Sequence, residues 1–151
     1  MVMGMTAKHP KRKERPGVDR AGRTPLHYAA ADADVQLVHQ LLATGLISGA
    51  ADDDGWTPLH FAAQSNAADV AMILLDAGAQ VDPMDSNGNT PLSKAVFNSR
   101  GDGNLIKLLR SRGANPYAKN KHGVSPLELA TTIANYDVRQ FFSDLSEEPD
   151  G

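Results

Sequence analysis

The sequence predicts an all-α solenoid of four turn-helix-loop-helix units stacked side by side, and three observations predict it. Four related lines recur along the 151 residues, at 19–51, 52–84, 85–119 and 120–145. Each line opens with Asp or Asn three residues before Gly, and a Thr-Pro or Ser-Pro step follows. Each then carries short apolar stripes at helical spacing, too small to be buried without a neighbouring unit.

The anchors are GRTPLHYAA from Gly22, GWTPLHFAA from Gly55, GNTPLSKAV from Gly88 and GVSPLELAT from Gly123. The Thr-Pro or Ser-Pro steps begin at 24, 57, 90 and 125, so the spacings are 33, 33 and 35. Taken in chain order, the pairs Asp19/Gly22, Asp52/Gly55, Asp85/Gly88 and Asn120/Gly123 are turn chemistry. The Asx side chain accepts from the backbone ahead, and Gly tolerates a positive φ. Thr24, Thr57, Thr90 and Ser125 suit a helix N-cap, while Pro25, Pro58, Pro91 and Pro126 suit its first position, where a missing N–H leaves nothing unbonded. Ser125 and Glu128 also have capping-box spacing.

The first helix of each unit directs small and apolar residues inward: Leu26, Ala29 and Ala30, then Leu59, Ala62 and Ala63, then Leu92 and Ala95, then Leu127 and Ala130. The second carries Val35, Leu37, Val38, Leu41 and Leu42, then Val70, Ile73, Leu74 and Leu75, then Leu105, Ile106, Leu108 and Leu109. Gly45, Gly78 and Gly113 end these second helices. The fourth unit departs from the rule, with Arg139 where Val38, Ala71 and Ile106 stand and Ser143 where Leu42 and Leu75 stand. A solvated outer face is written this way, so the array is expected to end there with Phe141 and Phe142 turned toward the third unit. Two extra residues within Ser99–Asn104, a stretch with two glycines, are expected to form a locally mobile, tolerated insertion.

Composition narrows the function classes. Cysteine is absent, which excludes disulfides and thiolate zinc sites. Residues 1–18 lack the apolar run of a signal peptide, and nowhere do 18 apolar residues follow one another. Neither secretion nor membrane insertion is indicated, and a cytoplasmic protein is the default expectation. The net charge of −3 is unevenly spread. Residues 1–18 hold Lys8, Lys11, Arg12, Lys13 and Arg15 against Glu14, a surplus of four, whereas residues 19–151 carry ten bases against seventeen acids, a deficit of seven. The main part should repel a phosphate backbone and attract a basic partner. The basic segment at 1–18 reads as a disordered lead-in, with a nucleic-acid arm or targeting signal as the other reading. The six residues 146–151 form an acidic tail.

These lines resemble the ankyrin repeat, whose pattern is close to D-x-x-G-x-T-P-L-H-x-A-A with a downstream leucine pair and G-A-D. The stretch DDDGWTPLHFAAQSNAADVAMILLDAGAQVD is a near-complete match, and the resemblance runs from residue 19 to about 145. Ser93 and Glu128 depart where the family has His, and Val96 and Thr131 where it has the second Ala. The resemblance implies a Thr–His hydrogen bond at Thr24/His27 and Thr57/His60 but not in the last two units. It makes His27 and His60 structural residues and not metal ligands; no carboxylate or Cys sits beside them at ligand spacing. The run Asp52-Asp53-Asp54-Gly55 lacks the alternate spacing and distal Glu of a calcium loop. No metal or cofactor is expected, and the usual catalytic signatures are absent, so an enzyme is not expected.

The resemblance further implies a concave groove formed by the turn tips and the exposed ends of the first helices, where another protein binds. Carried over, its residues are Arg20, Arg23, Ala31 and Asp32; Asp53, Asp54, Trp56, Gln64 and Ser65; Ser86, Asn87, Asn89, Phe97 and Asn98; and Lys121, His122 and Val124. Trp56, the only Trp, either anchors a partner from a turn tip or packs on the adjacent turn. Phe97 is a second candidate anchor. The expected function is stoichiometric binding or inhibition of a basic protein partner by a monomer, since no second domain is evident. Small ankyrin proteins of this sort resemble bacterial immunity proteins that neutralise a toxin domain. The alternative is an adaptor or regulatory subunit whose basic N-terminal segment docks on nucleic acid or an acidic partner.

Overall fold

In the computed structural model, which describes residues 15–146, helices begin where the Thr-Pro and Ser-Pro steps place them. The first helices are α1 (Pro25–Ala31), α3 (Pro58–Gln64), α5 (Pro91–Asn98) and α7 (Pro126–Thr132). Thr24, Thr57, Thr90 and Ser125 stand extended at their N-caps, and each side-chain oxygen accepts a backbone amide of the first turn. The second helices are α2 (Val35–Ala43), α4 (Ala68–Asp76) and α6 (Asn104–Ser111). Gly45, Gly78 and Gly113 follow them with φ of 93°, 99° and 93°, the left-handed turn that stops a helix. Among the described residues no strand is present, and none of these helices is long and apolar enough to cross a membrane.

Stacking builds the core. Helices α1, α3, α5 and α7 pack in one row, and α2, α4 and α6 form a second row behind them. Leu26, Leu59 and Leu92 are fully buried along the first row, with Ala30, Ala62, Ala63 and Ala95 letting adjacent helices close on one another. Val38, Val70, Leu74, Ile106 and Leu109 fill the space between rows. In α2 only Val38 is buried, while Val35 and Leu37 are exposed; the helix packs chiefly on α1 and α4.

The fourth unit differs from the regular plan. Its second helix is a five-residue 3-10 helix, Val138–Phe142, after an irregular stretch from 133. Val138 and Phe142 enter the core, whereas Ser143 is exposed and Arg139 folds back to donate to the carbonyls of Phe142 and Leu145. Phe141 turns to the third unit and lies so close to Gly103 that a Cβ there would fall 2.2 Å from its ring. A Cβ at Gly101 would meet the Tyr136 ring at 3.2 Å. The two extra residues of the 99–104 loop therefore make the seat of the closing segment, a packing role that the sequence, with its two glycines, did not suggest.

The turns nest. Gly22, Gly55, Gly88 and Gly123 have φ between 76° and 79°, and the Asx oxygen in each turn accepts the amides two and four residues ahead. Backbone hydrogen bonds then join one turn to the next: Asp53 N–H to the Ala21 carbonyl (2.9 Å), Ser86 N–H to Asp54 (2.8 Å) and Lys121 N–H to Asn87 (2.9 Å). Glycine is needed at Gly55 twice over, since a Cβ would also stand 2.9 Å from the Asp85 Cα.

Most of the basic lead-in, residues 1–14, lies outside the described residues, as does 147–151, so the expected disorder at 1–18 falls largely outside them. Arg15 is described, and its guanidinium forms two hydrogen bonds to the Asp53 carboxylate at 2.7 and 3.0 Å.

Candidate functional site

Two sequence positions recur on the turn side: the residue just before Thr-Pro, and the residue three after that Pro. In the stack, the first position of one unit meets the second position of the next. Arg23 lies over the Phe61 ring at 5.1 Å, and Trp56 lies beneath the Lys94 ammonium at 4.3 Å. Both contacts are cation–π pairs with cation and ring exchanged between them. They share one row, because the Trp56 and Phe61 rings are 4.9 Å apart at 48°. Arg23 also reaches Tyr28 at 5.9 Å, so Tyr28, Arg23, Phe61, Trp56 and Lys94 form a continuous ladder.

Buried carboxylates stand behind it. Asp52 accepts from Arg23 Nε at 3.1 Å, and Lys94 Nζ approaches Asp85 at 3.6 Å; both Asp side chains are fully buried. The Tyr28 hydroxyl donates to Asp19, which together with the Arg23 amide holds that carboxyl below its ordinary range. Histidines fix the row from below. Thr24 N–H donates to His27 Nδ1 at 2.9 Å, and His27 Nε2–H donates to the Trp56 carbonyl at 3.0 Å. Thr57, His60 and the Asn89 carbonyl repeat this at 3.1 and 2.9 Å. Burial pushes both imidazoles below the usual value. In the third unit Ser93 only donates its amide to Thr90, and in the fourth Glu128 reaches back to the Ser125 amide at 3.3 Å.

The other sequence-predicted residues fall in two groups. On the turns, Arg20, Asp53, Asp54, Ser86, Asn87, Lys121 and His122 are exposed. Several of their backbone groups serve the turn-to-turn bonds, and Asp53 is engaged by Arg15. Asn89 and Val124 are half-buried, with Asn89 Oδ1 accepting from Asn120 at 2.9 Å. At the ends of the first helices, Asp32, Gln64 and Ser65 are exposed, and Ser65 donates to the Ala31 carbonyl. Asn98 donates back to the Lys94 carbonyl at 2.8 Å. Phe97 is 71 % exposed, the most open aromatic ring among the described residues.

Trp56 therefore does not project from a turn tip. It is half-buried, stacked between Phe61 and Lys94 with His60 at 5.8 Å. Sequence reasoning missed Tyr28, Phe61 and Lys94. The signal was present in the x position of the T-P-L-H-x-A-A pattern, where Tyr28, Phe61 and Lys94 each precede the inward Ala29, Ala62 and Ala95.

The family model described as ankyrin repeats in three copies matches residues 6–85 and 26–120, together well over half of the chain. Comparison with curated proteins gave no match.

Proposed function

The chain belongs to the ankyrin-repeat family, whose members are non-catalytic protein–protein interaction modules, and from that premise we propose that it is a stoichiometric binder, acting as an inhibitor, of a basic protein held against the ladder face. The observation that carries this reading is the ladder of Tyr28, Arg23, Phe61, Trp56 and Lys94, extended on the same helix row by the exposed Phe97. Half-open aromatic and Arg side chains fixed in place by their neighbours contribute most to protein interfaces, because little side-chain freedom is lost on binding. The acidic balance of residues 19–151 favours a basic partner, a toxin domain being one such class, and would speed its approach. Arg20, Asp32, Asp53, Asp54, Gln64, Ser65, Ser86, Asn87, Asn89, Asn98, Lys121 and His122 would form the polar rim.

Capture of a partner from the native host, followed by native mass spectrometry, tests the proposal. A one-to-one complex is expected. Tyr28→Ala and Phe97→Ser should each weaken it by about tenfold or more, while Leu37→Ser on the opposite side should leave it intact. A complex indifferent to Tyr28 and Phe97 but lost with Leu37→Ser would move the interface to the second helices.

A further inference from the structure

The two cation–π pairs differ at their carboxylates. At Asp52 the Arg23 guanidinium donates from Nε to Oδ2 while its carbon lies 5.1 Å from the centre of the Phe61 ring. At Asp85, Oδ1 accepts the Asn87 and Asn89 amides, but Oδ2 is buried and accepts no hydrogen bond. The nearest cation, Lys94 Nζ, forms an ion pair with it at 3.6 Å, beyond hydrogen-bond distance, while lying 4.3 Å from the centre of the Trp56 ring. The chemistry of the two cations explains the difference. A planar guanidinium can lie on a ring and donate from its edge to a carboxylate, whereas a compact ammonium drawn to a ring face does not also reach the oxygen beside it. A buried carboxylate oxygen without a donor is unfavourable, and any donor that reaches it is bound more tightly for that reason.

Resting on the proposed protein-binding role of this face, we infer that Trp56 and Asp85 form a receptor for one arginine side chain of the partner, with Lys94 as its placeholder. The arriving guanidinium lies over Trp56 as Arg23 lies over Phe61, and donates to Asp85 Oδ2 as Arg23 donates to Asp52. Lys94, whose side chain is already 21 % exposed, moves its ammonium into water on a flexible four-carbon stem. The acidic balance of residues 19–151 favours the exchange of an internal cation for an external one.

Trp56 is the only Trp, so its fluorescence reports on the site directly. The whole protein is titrated with N-acetyl-arginine amide and with N-acetyl-citrulline amide, which keeps the shape without the charge. A saturable change with arginine is expected, about fivefold or more weaker with citrulline. Asp85→Asn keeps the Oδ1 acceptor of the turn, as Asn120 does in the fourth unit, and should weaken arginine binding by a similar factor. Lys94→Met removes the placeholder and should tighten binding about threefold, whereas Lys94→Arg fills the site from within and should abolish the response. Equal responses to arginine and citrulline, no saturation, or a parent-like Asp85→Asn each overturn the inference. Should Asp85→Asn fail to fold, the arginine–citrulline comparison on the parent and on Lys94→Arg decides. Loss of the arginine response while partner capture still depends on Tyr28 and Phe97 would refute the receptor and leave the binding face standing.

Discussion

His27 joins two units through one ring: Nδ1 accepts the Thr24 amide of its own unit at 2.9 Å, and Nε2 donates to the Trp56 carbonyl of the next at 3.0 Å. His60 makes the same bridge from Thr57 to Asn89. Only the neutral ring with its proton on Nε2 satisfies both partners. A second proton on Nδ1 would face an amide donor.

Stability should accordingly fall as the solution is acidified below the ordinary histidine value of 6.5. Burial lowers both folded values, so the unfolded chain takes up protons first, and stability present above 6.5 is lost as pH drops toward the folded values. Asp82, raised by burial, acts with the opposite sign, but from its ordinary value of 3.8 upward. Urea midpoints between pH 7 and pH 5 measure the effect. His60→Gln should lower the midpoint at pH 7 and flatten its pH dependence, and an unchanged slope would remove the histidines as its cause.

Two glycines with similar backbone angles should respond differently to substitution. Gly78→Ala meets no atom within 4 Å and should cost only the strain of its φ of 99°, about 1 kcal/mol. Gly55→Ala adds a close approach to the Asp85 backbone and should cost about 2–4 kcal/mol. Denaturant unfolding of both variants gives the comparison.

Trp56→Ala should affect both stability and binding. Removing the ring strips contacts from Phe61, His60 and Lys94, an expected loss of about 1–3 kcal/mol with the helical circular dichroism retained. Partner binding should weaken by about 2 kcal/mol or more as well. A variant as stable as the parent would contradict the stacked position of the ring.

Arg15→Ala should leave thermal stability unchanged, because the Arg15–Asp53 pair is solvent-exposed. It would, however, remove one positive charge from beside Asp53. Association with a basic partner should become faster and more sensitive to salt, which stopped-flow mixing at several ionic strengths would show, and Asp53→Lys should slow it.

The fold was legible because each of its anchors is local chemistry: the Asx turn, the capped proline and the glycine stop all act within a few residues. The ladder was not legible for the opposite reason. Arg23 and Phe61 are 38 residues apart, as are Trp56 and Lys94, a spacing longer than the 33-residue period that only the lateral register of stacked units brings into contact. The repeat pattern puts Arg23, Trp56 and Asp53 on the turns as separate residues, whereas the stack sets Arg23 and Trp56 against partners in the next unit and Arg15 against Asp53. The 99–104 loop was misjudged likewise, since its glycines answer to Tyr136 and Phe141, more than thirty residues ahead.

The turn-to-turn hydrogen bonds each connect a unit only to its immediate neighbour. Cooperativity in such a lattice is handed along nearest neighbours, so an end unit has one set of lateral bonds to lose and a middle unit has two. Amide exchange should therefore be graded along the molecule, slowest in α3 and α5 and fastest in the 3-10 helix Val138–Phe142, which lacks a full α-helical ladder of its own. The protein would open from its ends like an unlacing seam, and the rungs at Phe61 and Trp56, set in the middle, would be the last to part.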